Sequence, residues 1–182
     1  TKKQIAYLSN YTDNVPFKSN EIDPYFETHI NKIAKNLNDK FEINKQGEYL
    51  VPSKSGMVSL VYTGTLNGKR VAIKVLRKNI REKLIDALNK IDFVGKIIGR
   101  WPYIRAFNIN HLISENRDML IKQTDLIQEV ENITKIYKNC LYTDYVIIPK
   151  VYNEYTCKNS SFFVMDYLEG RKLDELTEED KE

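Results

Sequence analysis

A chain of 182 residues, 42% hydrophobic and 29% charged, has the make-up of one folded domain or one and a fraction, which excludes wholesale disorder. With 28 basic against 25 acidic residues the net charge is only +3, which argues against an obligate nucleic-acid binder that works by neutralising phosphates. No apolar run approaches the roughly 18 residues that cross a bilayer and no signal-peptide core is present, so a soluble, cytoplasmic chain is expected, trimmed at Thr1.

Residues 1–20 are polar and predict an irregular lead-in. Asp23 and Pro24 then offer an N-cap followed by proline at the first helical position, and Phe26, Ile30, Ile33, Leu37 and Phe41 recur at helical spacing, which predicts a helix over 24–40. Between 48 and 75 the period shortens and β-branched residues and tyrosine accumulate, with breaks at 52–56 and at Asn67-Gly68, so three strands are expected. Ile80, Leu84, Leu88, Ile91, Val94 and Ile98 form one stripe of a long amphipathic helix over 79–99, ended by Gly99 and Pro102. A second helical pattern over 111–139 carries Met119, Leu126, Val130, Ile133 and Tyr137.

Two more strands are expected in "YVIIPKVYNEY" and "SFFVMDYLEG", joined through 157–160, with Pro149 marking the first as ending or lying at an edge. The order of elements is an α+β pattern with an antiparallel sheet of about five strands. It divides into an N-terminal extension with one helix (1–47), a main unit (48–170) and an acidic tail (171–182). Cys140 and Cys157 read as free thiols of a reducing compartment, and His29 and His111 as helix-surface side chains, because none has a partner at metal-ligand spacing.

Lys74 stands inside "VAIKV", an apolar strand pattern. Burying an ammonium is costly unless an anion compensates it, so Lys74 needs a carboxylate or a phosphate nearby, or else it points outward from an edge strand. Upstream, "KSGMVSLV" (54–61) falls on the frame of a phosphate-covering hairpin: Gly56 holds the middle glycine position, Lys54 and Ser59 stand at the other two, and Val61 matches the closing valine. Glycine is used there because backbone amides approach phosphate oxygens without a Cβ in the way. Asp125 and Glu129 are four residues apart, where like charges repel unless something cationic lies between or the face is solvated. In a nucleotide site Glu129 pairs with Lys74 and Asp125 faces a metal.

Three ordered segments resemble the UbiB-like atypical kinases, the family associated with ubiquinone biosynthesis. "VPSKSGMVSLVYTGTLNGKRVAIKV" looks like that family's nucleotide loop and strand lysine, with Pro52, Val61, Tyr62, Ala72 and Lys74 in register. "QTDLIQEVEN" is similar to its helix signature, placing Gln123, Asp125, Glu129 and Asn132, and "IIPKVYNEYTCKNSSFFVMDYLEG" resembles its strand-turn-strand and hinge run. The wide separation of Lys74 from Glu129 fits the additional helix this family inserts, here 79–99.

The resemblance implies a kinase-like small lobe over 48–170 that binds ATP with Mg2+. Lys74 would hold the α- and β-phosphates and Glu129 would orient it. Ser53, Lys54, Ser55, Gly56 and Met57 would cover the nucleotide, Val61 and Ala72 would line it, and Met165, Asp166 and Leu168 would form the hinge beside the adenine. Asp125 would face the metal, and a lipid or membrane-associated partner is implied, with no nucleic acid. The chain departs from the family at its loop, Ser-Lys-Ser-Gly in place of alanines, and at Gln123, where the family has an acid. Lys45-Gln46-Gly47-Glu48 is a poor echo of its K-x-G-Q motif, and "DFVG" at 92–95 lies inside a helix pattern and precedes Glu129. No H-R-D-type loop or D-F-G follows Gly170, so turnover by this chain alone should be negligible. The alternative is a non-catalytic scaffold or interaction module.

Overall fold

A computed structural model describes residues 15–23, 25–98, 109–156 and 161–170. The first helix, α1 (Tyr25–Leu37), buries Phe26, Ile30 and Ala34, three side chains at four-residue spacing on one stripe. The Asp23 carboxylate accepts the Tyr25 amide at 3.0 Å at its start. It ends sooner than the apolar spacing predicts. Asn38 turns left-handed at φ 58°, its amide and that of Asp39 return to the carbonyls of Lys35 and Ala34, and Phe41 opens strand β1 (Phe41–Ile43) instead of a further helical turn.

Strands β2 (Lys54–Ser55), β3 (Ser59–Leu66) and β4 (Lys69–Leu76) follow. Asn67 at φ 51° and Gly68 at φ 83° make the two-residue turn between β3 and β4 that the Asn-Gly pair predicts. Helix α2 (Ile80–Ile98) occupies the expected span, with Gly99 and Pro102 outside the described residues. The single helix expected over 111–139 is two, α3 (Ile109–Lys122) and α4 (Leu126–Asn139), because the Thr124 hydroxyl turns back to the Ile121 carbonyl and Asp125 starts a new helix. Only Val151–Tyr152 of the longer predicted strand pairs, as β5, followed by a 3-10 turn at Asn153–Tyr155 and by β6 (Phe162–Asp166). The expected lead-in over 1–14, the connection at 157–160 and the tail at 171–182 also lie outside the described residues.

The sheet is antiparallel with six strands, one more than expected, in the order β1-β3-β4-β6-β5. β2 pairs with the start of β3 and β1 with its end, so both lie along one margin, while β5 is the opposite edge, where Pro149 points. The tight crossing of β1 over β3 requires Gly64, since a Cβ there would stand 2.4 Å from the Glu42 carbonyl oxygen.

Alternation gives the sheet two faces. Leu60, Tyr62, Leu66, Val71, Ile73, Val75, Phe162 and Val164 turn to the back face and close a core with α1, where the Phe26 and Tyr62 rings lie 4.9 Å apart. Phe163 and Val151 turn to the front and close a smaller core with Leu126 and Val130 of α4. Full burial of each such apolar side chain stabilises the fold by about 1.5–3 kcal/mol. His29 and His111 are exposed on helices, and no helix among the described residues is long and apolar enough to cross a membrane.

Asp39 ties this back face together: it accepts the Asn67 side-chain amide and the buried Tyr155 hydroxyl, both at 2.8 Å, and these bonds hold its carboxyl below the usual aspartate range. A depressed carboxyl contributes stability that is complete above its unfolded-state pKa and is lost as pH falls through the folded one. Asp39→Asn should therefore flatten the acid limb of a urea-midpoint curve recorded between about pH 6 and pH 2. An unchanged limb would remove Asp39 from the acid response. Gly64→Ala should lower unfolding free energy by about 1–3 kcal/mol by denaturant titration, because the new methyl forces β1 from β3.

Candidate functional site

On β4 the back-face set Val71, Ile73 and Val75 leaves Ala72, Lys74 and Leu76 to face forward. β4 lies between β3 and β6, so the outward-pointing edge lysine is excluded. The register aligns Lys54, Val61, Lys74 and Phe163 in one row across four strands, and Thr63, Ala72 and Met165 in the next. Lys74 thus stands in the middle of a face that carries apolar groups such as Val61, Ala72, Phe163 and Met165 beside the polar Lys54 and Thr63. Glu129 answers it. The residue before buried Val130 on α4, it brings Oε1 to 2.5 Å from Lys74 Nζ, with the two side chains 34% and 23% exposed.

The helix that carries Glu129 is set by its own start. Asp125 Oδ1 accepts the amides of Ile127 and Gln128 at 3.0 and 3.1 Å, so Asp125 is the N-cap of α4 and lies off the helical face on which it was expected to repel Glu129. Beside the ion pair opens a cavity of about 330 Å³, lined by Lys122, Gln123, Asp125, Gln128, Glu129 and Asn132 among others. It is an open depression whose lining side chains include both charges. No group of three His, Cys, Asp or Glu side chains that could hold a metal occurs among the described residues.

The hairpin expected to cover a nucleotide is present, with the Gly56 amide closing on the Ser59 carbonyl at 2.9 Å and Met57 exposed at the tip. Its side chains divide by parity. Lys54 shares the row of Lys74, whereas Ser55 pairs with Leu60 and turns to the back, where its hydroxyl donates to the Val15 carbonyl. The Ser53 hydroxyl donates to the Val61 carbonyl at 3.0 Å. The side chains of Met165 and Asp166 divide in the same way. Met165 faces forward, but Asp166 pairs with Val71 and points back, where it meets Lys69 at 2.7 Å and the Tyr152 hydroxyl at 2.8 Å. Burial opposes its ionisation, yet those two partners outweigh burial and keep the carboxyl below its ordinary range. Only the backbones of Ser55 and Asp166 remain on the side of Lys74.

Arg70 and Arg77 carry structure that the sequence reading missed. The Arg70 guanidinium lies 4.2 Å from the centre of the Tyr167 ring and ion-pairs with Glu169, and its carbonyl accepts the Tyr167 amide, so it clamps the hinge leading to exposed Leu168. Arg77 is buried at 5% exposure and reaches five acceptors. Its parity was legible: it continues the series Val71, Ile73, Val75 that faces inward.

Known proteins resemble this chain over most of its length. The ABC1 atypical kinase-like domain matches residues 11–182. An uncharacterized chloroplastic aarF domain-containing protein kinase of Arabidopsis thaliana is 27% identical over 173 residues, covering 92% of this chain and 24% of its own length. A probable protein kinase UbiB of Shewanella denitrificans is 26% identical over 180 residues, covering 96% of this chain and 30% of its own. The chain therefore spans less than a third of the length of these relatives. A solved structure, the Rv3197–erythromycin complex of Mycobacterium tuberculosis, aligns over 93% of this chain and 48% of that one with 15% identity and a TM-score of 0.49. With nearly all its length inside the matched domain and a paired lysine and glutamate across its sheet and helix, the chain belongs to the ABC1 atypical kinase-like family.

Proposed function

We propose that this chain is the nucleotide-binding small lobe of a UbiB-like atypical kinase or ATPase, and that ATP with Mg2+ lies on the front face of the sheet. The observation that carries the reading is the Lys74–Glu129 pair, a charge pair at 2.5 Å on the front face of a central strand. Such a pair is suited to phosphate. The glutamate fixes the ammonium at one place, and the ammonium keeps donor capacity for the α- and β-phosphate oxygens. Lys54, two strands away in the same row, adds positive charge on the approach. Val61, Ala72 and Met165 give an apolar shelf for the base, with the hinge backbone through Asp166 and Leu168 at its rim. The Ser53, Lys54, Ser55, Gly56, Met57 hairpin covers the phosphates through its backbone.

Mg2+ would supply positive charge that neutralises the phosphates. Asp125 and Asn132, which line the cavity beside Glu129, are the oxygen donors this chain offers it; Asp125 Oδ1 is already shared with two amides, so most of the coordination must come from phosphate and water. Phosphoryl transfer works by positioning and charge stabilisation and also takes a base that orients the acceptor. The role assigned to this chain's own residues is to bind and position the nucleotide. A lipid or membrane-associated acceptor is proposed from the UbiB-like resemblance alone.

An acyl-phosphate derivative of ATP, which acylates a lysine held against the phosphates, should modify Lys74 ahead of the chain's other lysines, and excess ATP with Mg2+ should suppress the labelling; peptide mass spectrometry reads both. Preferential labelling elsewhere would refute the assignment. Lys74→Ala should weaken ATP binding in calorimetry by roughly ten- to a hundred-fold, the worth of a charge-assisted hydrogen bond. Glu129→Gln should weaken it less, and the double variant should fall short of the sum of the two, since the residues act as one unit. Absence of saturable binding by a folded chain would leave the interaction module.

A further inference from the structure

Arg77 is the one buried charged residue among the described residues, and all five of its N–H donors have acceptors. Nε donates to the Gly56 carbonyl at 3.0 Å, Nη1 to the Pro16 carbonyl at 3.2 Å and Glu21 Oε2 at 2.7 Å, and Nη2 to the Val15 carbonyl at 3.0 Å and Ser55 Oγ at 2.9 Å. Its own amide reaches the Val58 carbonyl at 3.0 Å. One side chain therefore holds two pieces of chain that are far apart in sequence: the hairpin at 54–59 and a strap formed by residues 15–21.

The strap is tied by polar contacts more than by packing. Val15 and Ser55 exchange backbone and side-chain bonds, the Lys78 amide reaches the Glu21 carbonyl at 2.8 Å, and Lys83 lies 3.4 Å from Glu21 Oε1. Pro16 and Phe17 are exposed, and a cavity of about 310 Å³ lies between the strap and Pro52, Ser53 and Lys54. Held this way, the hairpin takes its position from the guanidinium beneath Gly56. The hairpin itself is weak, with a two-residue β2 and a four-residue connection from Ser55 to Leu60. The tie adds to the β2–β3 pairing and the Gly56–Ser59 bond in setting where its amides stand relative to Lys74.

We propose that Arg77 is a positioning residue for the phosphate-covering hairpin, and that the strap at 15–21, acting through Arg77 and Glu21, sets how closely the hairpin closes over a nucleotide. The affinity consequence rests on the nucleotide reading above; the mechanical coupling does not. A hairpin that touches phosphates affects ligands in proportion to the phosphates they carry, so the strap tunes ATP against adenosine rather than binding in general. The strap thereby becomes a lever: whatever displaces residues 15–21 loosens the loop without touching Lys74 or Glu129.

The test uses Arg77→Lys, Arg77→Met and Glu21→Gln in the full chain, with two readouts. Hydrogen–deuterium exchange of the ligand-free proteins should show faster exchange of the 55–60 amides in all three variants, while the β4 and β6 amides stay protected; unchanged loop exchange overturns the coupling. In titrations, ATP affinity should fall about fivefold or more while adenosine affinity holds, with Arg77→Lys between wild type and Arg77→Met. Equal losses for both ligands, tracking a lowered melting temperature, would mean a merely structural arginine and overturn the proposal. Should Arg77→Met fail to fold, Glu21→Gln carries both readouts, since it keeps the size of the side chain and removes only its charge. Wild-type protein that binds no nucleotide would end the nucleotide reading and the affinity consequence together, and the exchange data would still decide whether the strap sets the loop.

Discussion

A lysine in the middle of a sheet imposes a condition on everything around it. Lys74 cannot be shed to an edge, because β4 is flanked by β3 and β6, and it cannot face the back, because Val71, Ile73 and Val75 hold that parity with α1. A carboxylate must therefore reach it from the helix that covers the front. Glu129 does so only if α4 begins where Thr124 and Asp125 break the helical run, since a shift of one residue would rotate the carboxylate by about 100° away from the sheet. The short break between α3 and α4 is thus part of the ion pair's geometry. Removing one partner of such a pair leaves the other charge uncompensated against Phe163 and Leu126, which is costlier than the pair is stabilising.

The same alternation separates two kinds of residue along each strand. Back-facing positions build the large core with α1 and the polar ties of Asp39, Tyr155 and Asn67; front-facing positions build a smaller core with α4 and the row that holds Lys54, Val61 and Lys74. Changes on the back act chiefly on stability, and changes on the front on the site. Two arginines cross this division. Arg77 reaches from the back to the hairpin, and Arg70 holds the hinge segment through Tyr167 and Glu169. Each margin of the candidate site thus meets a guanidinium, Arg77 with five acceptors and Arg70 with the Glu169 carboxylate and the Tyr167 ring.

A good part of this was legible. Lys74 declared itself because a charge in an apolar strand needs a partner, and the acidic pair on the later helical pattern offered one. The Asn-Gly turn, the span of α2 and the edge position marked by Pro149 followed from local rules that tertiary contacts did not override. The boundaries failed where local chemistry competes with periodicity. Phe41 fitted the helical stripe, but a left-handed Asn38 ended the helix and freed it for a strand. Asp125 fitted a helical face with Glu129, but aspartate binds free amides at a helix start better than it sits inside one. The side chains of Ser55 and Asp166 face the back, because a period of two sends neighbouring residues to opposite faces.

The sequence alone determined the partition into an antiparallel sheet and amphipathic helices, and the requirement that Lys74 find an anion, because both depend on periodicity and on the cost of burying charge. The sequence also named Glu129 as that anion; which face each loop residue took and where Arg77 sent its five donors were decided by tertiary structure. Those outcomes depend on strand register and on chain segments dozens of residues apart, and a hydrogen bond between Arg77 and Pro16 leaves no periodic trace in either neighbourhood.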